Sequence, residues 1–326
     1  MLLEYLSSIS VVPQDSVRLV VVTHWHDDHV RGASAVVQKC VAADVAISAA
    51  LRSKEFVLLS AVYRKIRVPD GSGLEELGSL LEQLQLRKAK GVKFGAPKWS
   101  VADRLLYSGL APSDDGGVQV RVHALSPSDD SILKAQLSFG GMLPHAKSAQ
   151  RIVSSPTQNQ ASVVLLCQIG SDQILLGADL ERENDPSLGW QAVIETVAAA
   201  SARAGVLKVP HHGAESGHDG RLWEHLLDSK PIAVLTPFQT GRQDLPTDDD
   251  VQRIVNLTDK AYATALPKKR RKYKASDRVV SDVLSTSAVN VEEVRVGFGH
   301  VRIRKKIGAD SEPWRVELFG DAVKLS

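Results

Sequence analysis

Within His24-Trp25-His26-Asp27-Asp28-His29 the chain gathers three imidazoles and two carboxylates in six consecutive positions. Borderline divalent ions such as zinc are held by imidazole nitrogens and carboxylate oxygens, and two histidines one residue apart on a loop can aim both nitrogens at one ion. His24 and His26 meet that need. Asp28 and His29 can face a second ion a few ångströms away, because the chain is turning into a helix there. A further pair, His211-His212, stands before Gly213, so five of the ten histidines fall in two clusters.

Short strands must carry both clusters. Val17 to Thr23 is a mostly β-branched run whose apolar stretch suits burial on both faces of a sheet, and Val206 to Val209 is a second short apolar run. Each cluster therefore lies at the carboxyl end of a buried strand, where ligand sites of α/β sheets gather. A helix from Met1 to about Ile9, stopped by Pro13, precedes the first strand, and Ala33, Val36, Val37 and Cys40 place a helix after the cluster. The spacing predicts a strand at Val45 to Ser48 and helices at Leu51 to Ile66 and at Leu74 to Lys88, then a loop at Gly91 to Trp99. Val118, Val120 and Val122 alternate with polar residues as a half-exposed strand. Ser162 to Cys167 and Gln173 to Leu176 read as a hairpin ending at Asp179. Further units are helices at Leu188 to Arg203, Leu222 to Leu227 and Asp248 to Val255, a strand at Ile232 to Thr236, and a closing hairpin near His300 to Leu318 around Ala309-Asp310-Ser311. Strands alternating with helices predict an α/β class with helices covering the sheets.

Composition leaves room for a large core: 326 residues, 43% hydrophobic and 24% charged, argue against disorder. A net charge of +2 does not by itself call for a polyanionic partner, so any nucleic-acid argument is local. Two cysteines, Cys40 and Cys167, are too few for a disulfide framework and suit a reducing compartment. No apolar run is long enough to span a bilayer and no leader pattern opens the chain, so a cytoplasmic protein with no membrane segment is expected.

His24-x-His26-x-Asp28-His29 after a buried strand resembles the signature of the metallo-β-lactamase superfamily. The resemblance extends to Asn159, Ser162 and Gly177-Ala178-Asp179-Leu180-Glu181, and to Leu207-Lys208-Val209-Pro210-His211-His212-Gly213. This last string, with Pro231 to Thr236, is most similar to the soluble hydrolase domain of the ComEC/Rec2-like DNA-uptake proteins. The match covers about 17–265, plus the closing hairpin. It implies a four-layer αββα sandwich, here a single domain over 1–326 with a basic insertion at about 267–295. It also implies two divalent metal ions, zinc ahead of manganese. His24 and His26 would hold one ion and Asp28, His29 and His212 the other, with Asp179 bridging them. His211 would donate a proton or contact substrate oxygens. Two such ions generate a nucleophile from water that attacks a carbonyl or phosphoryl centre, and Asp28 can orient it and accept its proton.

The chain also departs from the pattern. Asn159 stands where another metal-binding histidine is common, and His123, in an alternating strand, and His145, in a proline-containing loop, are the other histidines of that interval. Relatives usually begin with a strand hairpin before the first helix, whereas Met1 already lies in that helix. Either the sheet lacks two strands, a partner chain supplies them, or the true start lies upstream; an uncovered edge would favour self-association. Lys268 to Lys274 is a basic run that could bind phosphates, with Tyr273 available to stack on a base. Trp25 and Trp223 could line a cleft or simply pack. The expected function is a metal-dependent hydrolase acting on a phosphodiester in nucleic acid or a nucleotide. An ester, thioester or lactone hydrolase and a non-catalytic assembly module are the alternatives.

Overall fold

The computed structural model describes residues 2–65, 73–92, 95–113, 116–142, 159–197, 203–239, 244–268, 271–272, 283, 292–293, 297–307 and 312–326. Two short helices open the chain, α1 (Leu2–Ser8) and α2 (Pro13–Ser16). Pro13 sits in the first turn of α2, where its missing N–H leaves no bond unmade, so it starts a second helix as well as stopping the first. The β-branched run then forms β1 (Leu19–Val22), parallel to β2 (Asp44–Ser48), with Val20 opposite Val45. β3 (Lys98–Ser100), which overlaps the end of the stretch expected to be a loop, completes a three-stranded sheet in the order β1-β2-β3. Three residues among glycine, proline and lysine carry no visible alternation; the pairing of Ile47 with Trp99 makes the strand.

Helices cover the outer face of this small sheet. α3 (Asp27–Val30) and α4 (Ala33–Lys39) are one expected helix broken at Gly32, whose φ of 84° suits a residue without Cβ. α5 (Lys54–Lys65), α6 (Gly73–Ala89) and α7 (Asp129–Met142) follow. Val22, Val45 and Ile47 pack there against Val37, Phe56, Leu59, Leu77, Leu84 and Phe139.

The large sheet has eight strands. They are β4 (Arg104–Ala111), β5 (Val118–Ala124), β6 (Leu165–Ile169), β7 (Asp172–Leu176), β8 (Ala204–Lys208) and β9 (Leu227–Leu235), with β12 and β17 below. A two-stranded ladder, β10 (Phe238–Gln239) and β11 (Asp244–Leu245), precedes β12 (Ala261–Ala263). A second small ladder pairs β13 (Arg271–Lys272) with β14 (Glu292–Glu293). The closing hairpin is β15 (Gly299–Arg304) with β16 (Arg315–Gly320), and β17 (Val323–Lys324) ends the chain. The order across the large sheet is β17-β12-β9-β8-β7-β6-β5-β4, with β7, β8, β9 and β12 mutually parallel. β9 begins at Leu227, earlier than its apolar core suggested, because Asp228, Ser229 and Lys230 give it a polar start.

The two sheets face each other. Ala46, Leu19 and Val21 of the small sheet meet Leu106, Ala124, Val122, Leu165 and Leu176 of the large one. The outer face of the large sheet is covered by α8 (Gly189–Val197), α9 (Gly220–His225) and α10 (Asp248–Leu257), with Trp190, Leu207, Leu222 and Ile254 in that core. The result is the expected four-layer α/β sandwich, helix on sheet on sheet on helix. The β15–β16 hairpin lies over the inner face of β7, β8, β9 and β12: Val301, Ile303, Trp314 and Val316 cover Val206, Ile232 and Val234. Burying that apolar face removes surface worth about 25 cal/mol per Å² from water. Among the described residues no helix is long and apolar enough to cross a membrane.

Candidate metal centre

Parallel pairing at the middle of the large sheet decides where the distant ligands emerge. Leu176 at the end of β7 is in register with Lys208 at the end of β8, and Gly177 donates its N–H to the Lys208 carbonyl at 3.1 Å. A Cβ on Gly177 would come within 2.6 Å of Pro210 Cγ, so only glycine lets the two exits run this close. Ala178 then takes a left-handed conformation (φ 46°) and turns Asp179 across the sheet edge. The exit from β8 is more contorted: His211, His212 and Gly213 are all left-handed, with φ of 44°, 56° and 88°. Two consecutive histidines in that region carry backbone strain of the kind found at functional sites, about 1–3 kcal/mol each. The turn is held by Gly213 N–H to Pro210 O at 2.9 Å, His211 N–H to Ala178 O at 3.0 Å and Arg253 Nη2 to Gly213 O at 2.6 Å.

The opposite wall comes from the small sheet. Beyond β1, His24 and His26 lie on the loop into α3, which starts at Asp27, and Val163 N–H binds Thr23 O at 3.1 Å, tying this loop to the large sheet. Asp27 turns away, accepting from the Gly73 N–H at the start of α6. Trp25 packs in an aromatic group with Phe56 and Phe139, and Trp223 packs on the large-sheet core, so both tryptophans serve packing.

Six side chains converge. Asp28, His29, Asp179 and His212 each offer a ligand atom, all within 4.8 Å of one another, and His24, His26 and Asp179 do the same. Asp179 is common to both groups. Its Oδ1 lies 3.1 Å from His29 Nε2, and its Oδ2 lies 3.5 Å from His212 Nε2 and 3.7 Å from His24 Nε2. Asp28 Oδ2 lies 3.2 Å from His212 Nε2 and 3.3 Å from His29 Nε2. His212 Nδ1 is 3.0 Å from the Thr236 carbonyl, which makes Nδ1 the protonated nitrogen and leaves Nε2 with its lone pair toward the cluster.

Two observations test whether a cation suits this place. His24 Nε2 is buried without a hydrogen-bond partner, although it points at Asp179 from 3.7 Å. A buried polar atom left unpaired costs about 1–3 kcal/mol, which coordination would remove. The protonation states also suit. Burial, helped by His29, keeps the His24 imidazole well below its ordinary value and so neutral. Burial resists ionisation of Asp179 and Asp28, but His212 and His29 outweigh it and hold both carboxyls well below the usual carboxylate range. Burial also opposes charge on His29, yet Asp179 and Asp28 raise it to about 9, and the same carboxylates raise His212. That negative field would attract a divalent ion equally. Nitrogen and oxygen donors in this mixture suit a borderline divalent ion.

His211 belongs to a neighbouring network. Its Nδ1 lies 2.8 Å from Ser216 Oγ and 3.0 Å from Glu181 Oε1, while Nε2 lies 3.2 Å from Asn159 Nδ2. Asn159 also donates to Glu181 Oε1 at 3.3 Å. The asparagine is buried and sits against His211, outside both ligand groups. Burial resists charge on Glu181, but His211 prevails and lowers its carboxyl. Ser216 is a site neighbour that residue patterns did not single out, and Glu181 entered only as the last residue of the string around Asp179. His123 lies on β5, away from the cluster, and His145 and Tyr273 lie outside the described residues, as does most of the basic run at 268–274.

Residues 5–88 match the family model described as the Metallo-beta-lactamase superfamily. That stretch runs from α1 to α6 and contains His24, His26, Asp28 and His29; Asp179 and His212 join them through the fold. No curated protein and no solved structure matches the chain. The superfamily match and the His/Asp cluster together point to a metal-dependent hydrolase.

Proposed function

We propose that the chain is a two-metal hydrolase whose substrate is a phosphodiester, in nucleic acid or a nucleotide. The observation that carries this reading is the pair of ligand groups sharing the single carboxylate of Asp179. His24 and His26 would hold one ion, Asp28, His29 and His212 the other, and Asp179 both. When bound, such ions lower the pKa of water and stabilise negative charge developing on a phosphoryl or carbonyl oxygen. The protein's own groups supply the rest. Asp28, the most exposed of the six, would orient the nucleophile and accept its proton. Glu181 and Ser216 fix the ring of His211, which donates a proton or hydrogen bond to the departing oxygen. We read the chain as one domain, and its free cysteines, Cys40 and Cys167, support a reducing compartment such as the cytoplasm.

The ComEC/Rec2-like strings favour phosphodiesters over esters, thioesters or lactones. Metal analysis of the purified chain separates enzyme from scaffold: close to two equivalents of zinc or manganese supports the dimetal reading, whereas a folded protein that takes up none leaves an assembly module. Single-stranded DNA, RNA, bis(p-nitrophenyl) phosphate and a lactone panel, with His26→Ala as control, then decide the substrate. Hydrolysis of lactones alone would overturn the phosphodiester choice.

A further inference from the structure

Strand periodicity divides the closing hairpin into two faces. Val301, Ile303, Trp314 and Val316 face the sheet. The alternate positions form three outward rungs in register, His300 with Phe319, Arg302 with Glu317, and Arg304 with Arg315. The first rung is aromatic: the two rings stack at 5.5 Å with 27° between planes, and Tyr5 of α1 stands edge-on to His300 at 4.8 Å. The second rung lays the Arg302 guanidinium 4.7 Å over Phe319, held flat by two 2.8 Å bonds to Glu317. The third sets two arginines directly opposite, a like-charge pairing that costs stability in a sheet. Phe298 and Phe319 remain 62% and 42% exposed. Tyr5, Phe298, His300, Arg302 and Phe319 line a cavity of about 300 Å³.

This face is tied to the metal centre along one edge of the large sheet. Phe238 lies 5.0 Å from the His212 ring, and Gln239 beside it donates to Lys268 O at 2.8 Å. Lys268 Nζ reaches Asp321 Oδ2 at 3.1 Å, and that carboxylate accepts the Phe298 N–H at 2.8 Å. Gly299 sits so close to Thr264, just past the end of β12, that a Cβ would meet its carbonyl at 2.0 Å.

We propose that the hairpin is a stacking platform for single-stranded nucleic acid leading toward the metal centre. The exposed rings of Phe298 and Phe319, with Arg304 and Arg315 further along the same hairpin, match unpaired bases and their phosphates, whereas a duplex hides its base faces. The ligand's identity rests on the phosphodiester reading above, but the platform is tested apart from catalysis. Fluorescence anisotropy of the full chain in EDTA would follow labelled oligothymidylate and oligouridylate of about 20 nucleotides, longer than the ~4–16 a small binding fold covers, and a matching duplex. Single strands should bind about tenfold more tightly than the duplex. Phe298→Ala/Phe319→Ala should weaken binding by about tenfold with unchanged circular dichroism, and Phe319→Leu, which keeps the apolar bulk, should also weaken it. Arg304→Ala/Arg315→Ala should shallow the salt dependence by up to ~1.4 in log–log slope. Equal affinity for duplex, no binding, or indifference to loss of the rings overturns the platform. A dimer by light scattering that the aromatic variant dissociates would assign the face to a second copy. Bis(p-nitrophenyl) phosphate hydrolysis without oligonucleotide binding sinks the platform alone; binding without hydrolysis sinks the hydrolase reading alone.

Discussion

Asp179 is where the candidate centre stands or falls, because three imidazoles from two sheets aim at its two oxygens. The flanking dyad is separable from it. Glu181→Gln should lower kcat by about a hundredfold through loss of a held proton donor, with metal content unchanged, and His211→Ala should add little on top. Equal loss of metal in Glu181→Gln would show the dyad to be part of the ligand frame instead. Titration of the chelated protein gives a second check. His29, raised to about 9 from an ordinary 6.5, stabilises the fold fully below pH 6.5 and loses that contribution as pH climbs through 9. The depressed carboxyls of Asp28 and Asp179 stabilise above the ordinary carboxylate range and lose it as pH falls through their lowered values. Burial keeps His24 neutral and so removes stability as pH falls below 6.5; chelated protein should therefore melt highest near pH 6.5 and lower by pH 9, and His29→Gln should flatten the alkaline limb. At this scale the sequence was informative where chemistry is local: three histidines and Asp28 lie within six positions. His211 stood out beside His212 and Asn159 through the resemblance, but their link through Glu181 and Ser216 carries no such mark, since polar residues from distant loops become a network only once folded.

Among the elements, those with their own apolar period were legible and those made by their neighbours were not. β1, α6 and the β6–β7 hairpin could be read from spacing. β3 and β12 have three residues each and exist through pairing with β2 and β9. α7 carries no clear apolar period because Gly140 and Gly141 lie in its last turn and its buried face includes a serine, Ser131, beside Ala135 and Phe139. α10 shows how a helix start bears on the site. Thr247 caps it by accepting from Asp250 N–H, Asp250 returns a bond to the Thr247 N–H, and Arg253 links Asp250 to the Gly213 carbonyl under His212. Thr247→Ala should cost about 1 kcal/mol of stability by denaturant unfolding. An unchanged midpoint would show that the cap is idle.

Over the whole molecule, the three-stranded sheet faces only part of the eight-stranded one, and the closing hairpin covers the inner face that remains. No residue pattern announces that division of labour, because it depends on which face each strand turns inward. The six candidate ligand side chains straddle the seam between the sheets: His24, His26, Asp28 and His29 follow the small sheet, while Asp179 and His212 follow the large one. Cations bound there would act as rivets across the sandwich, reinforcing halves otherwise joined by apolar contact and a few hydrogen bonds such as Val163 N–H to Thr23 O. Saturating zinc at about 1,000 times its Kd should then add ~4 kcal/mol to unfolding. Amide exchange should slow on both sides of the seam at once, at β1 as well as at β7 and β8, so that occupancy of the centre sets how tightly the two layers close.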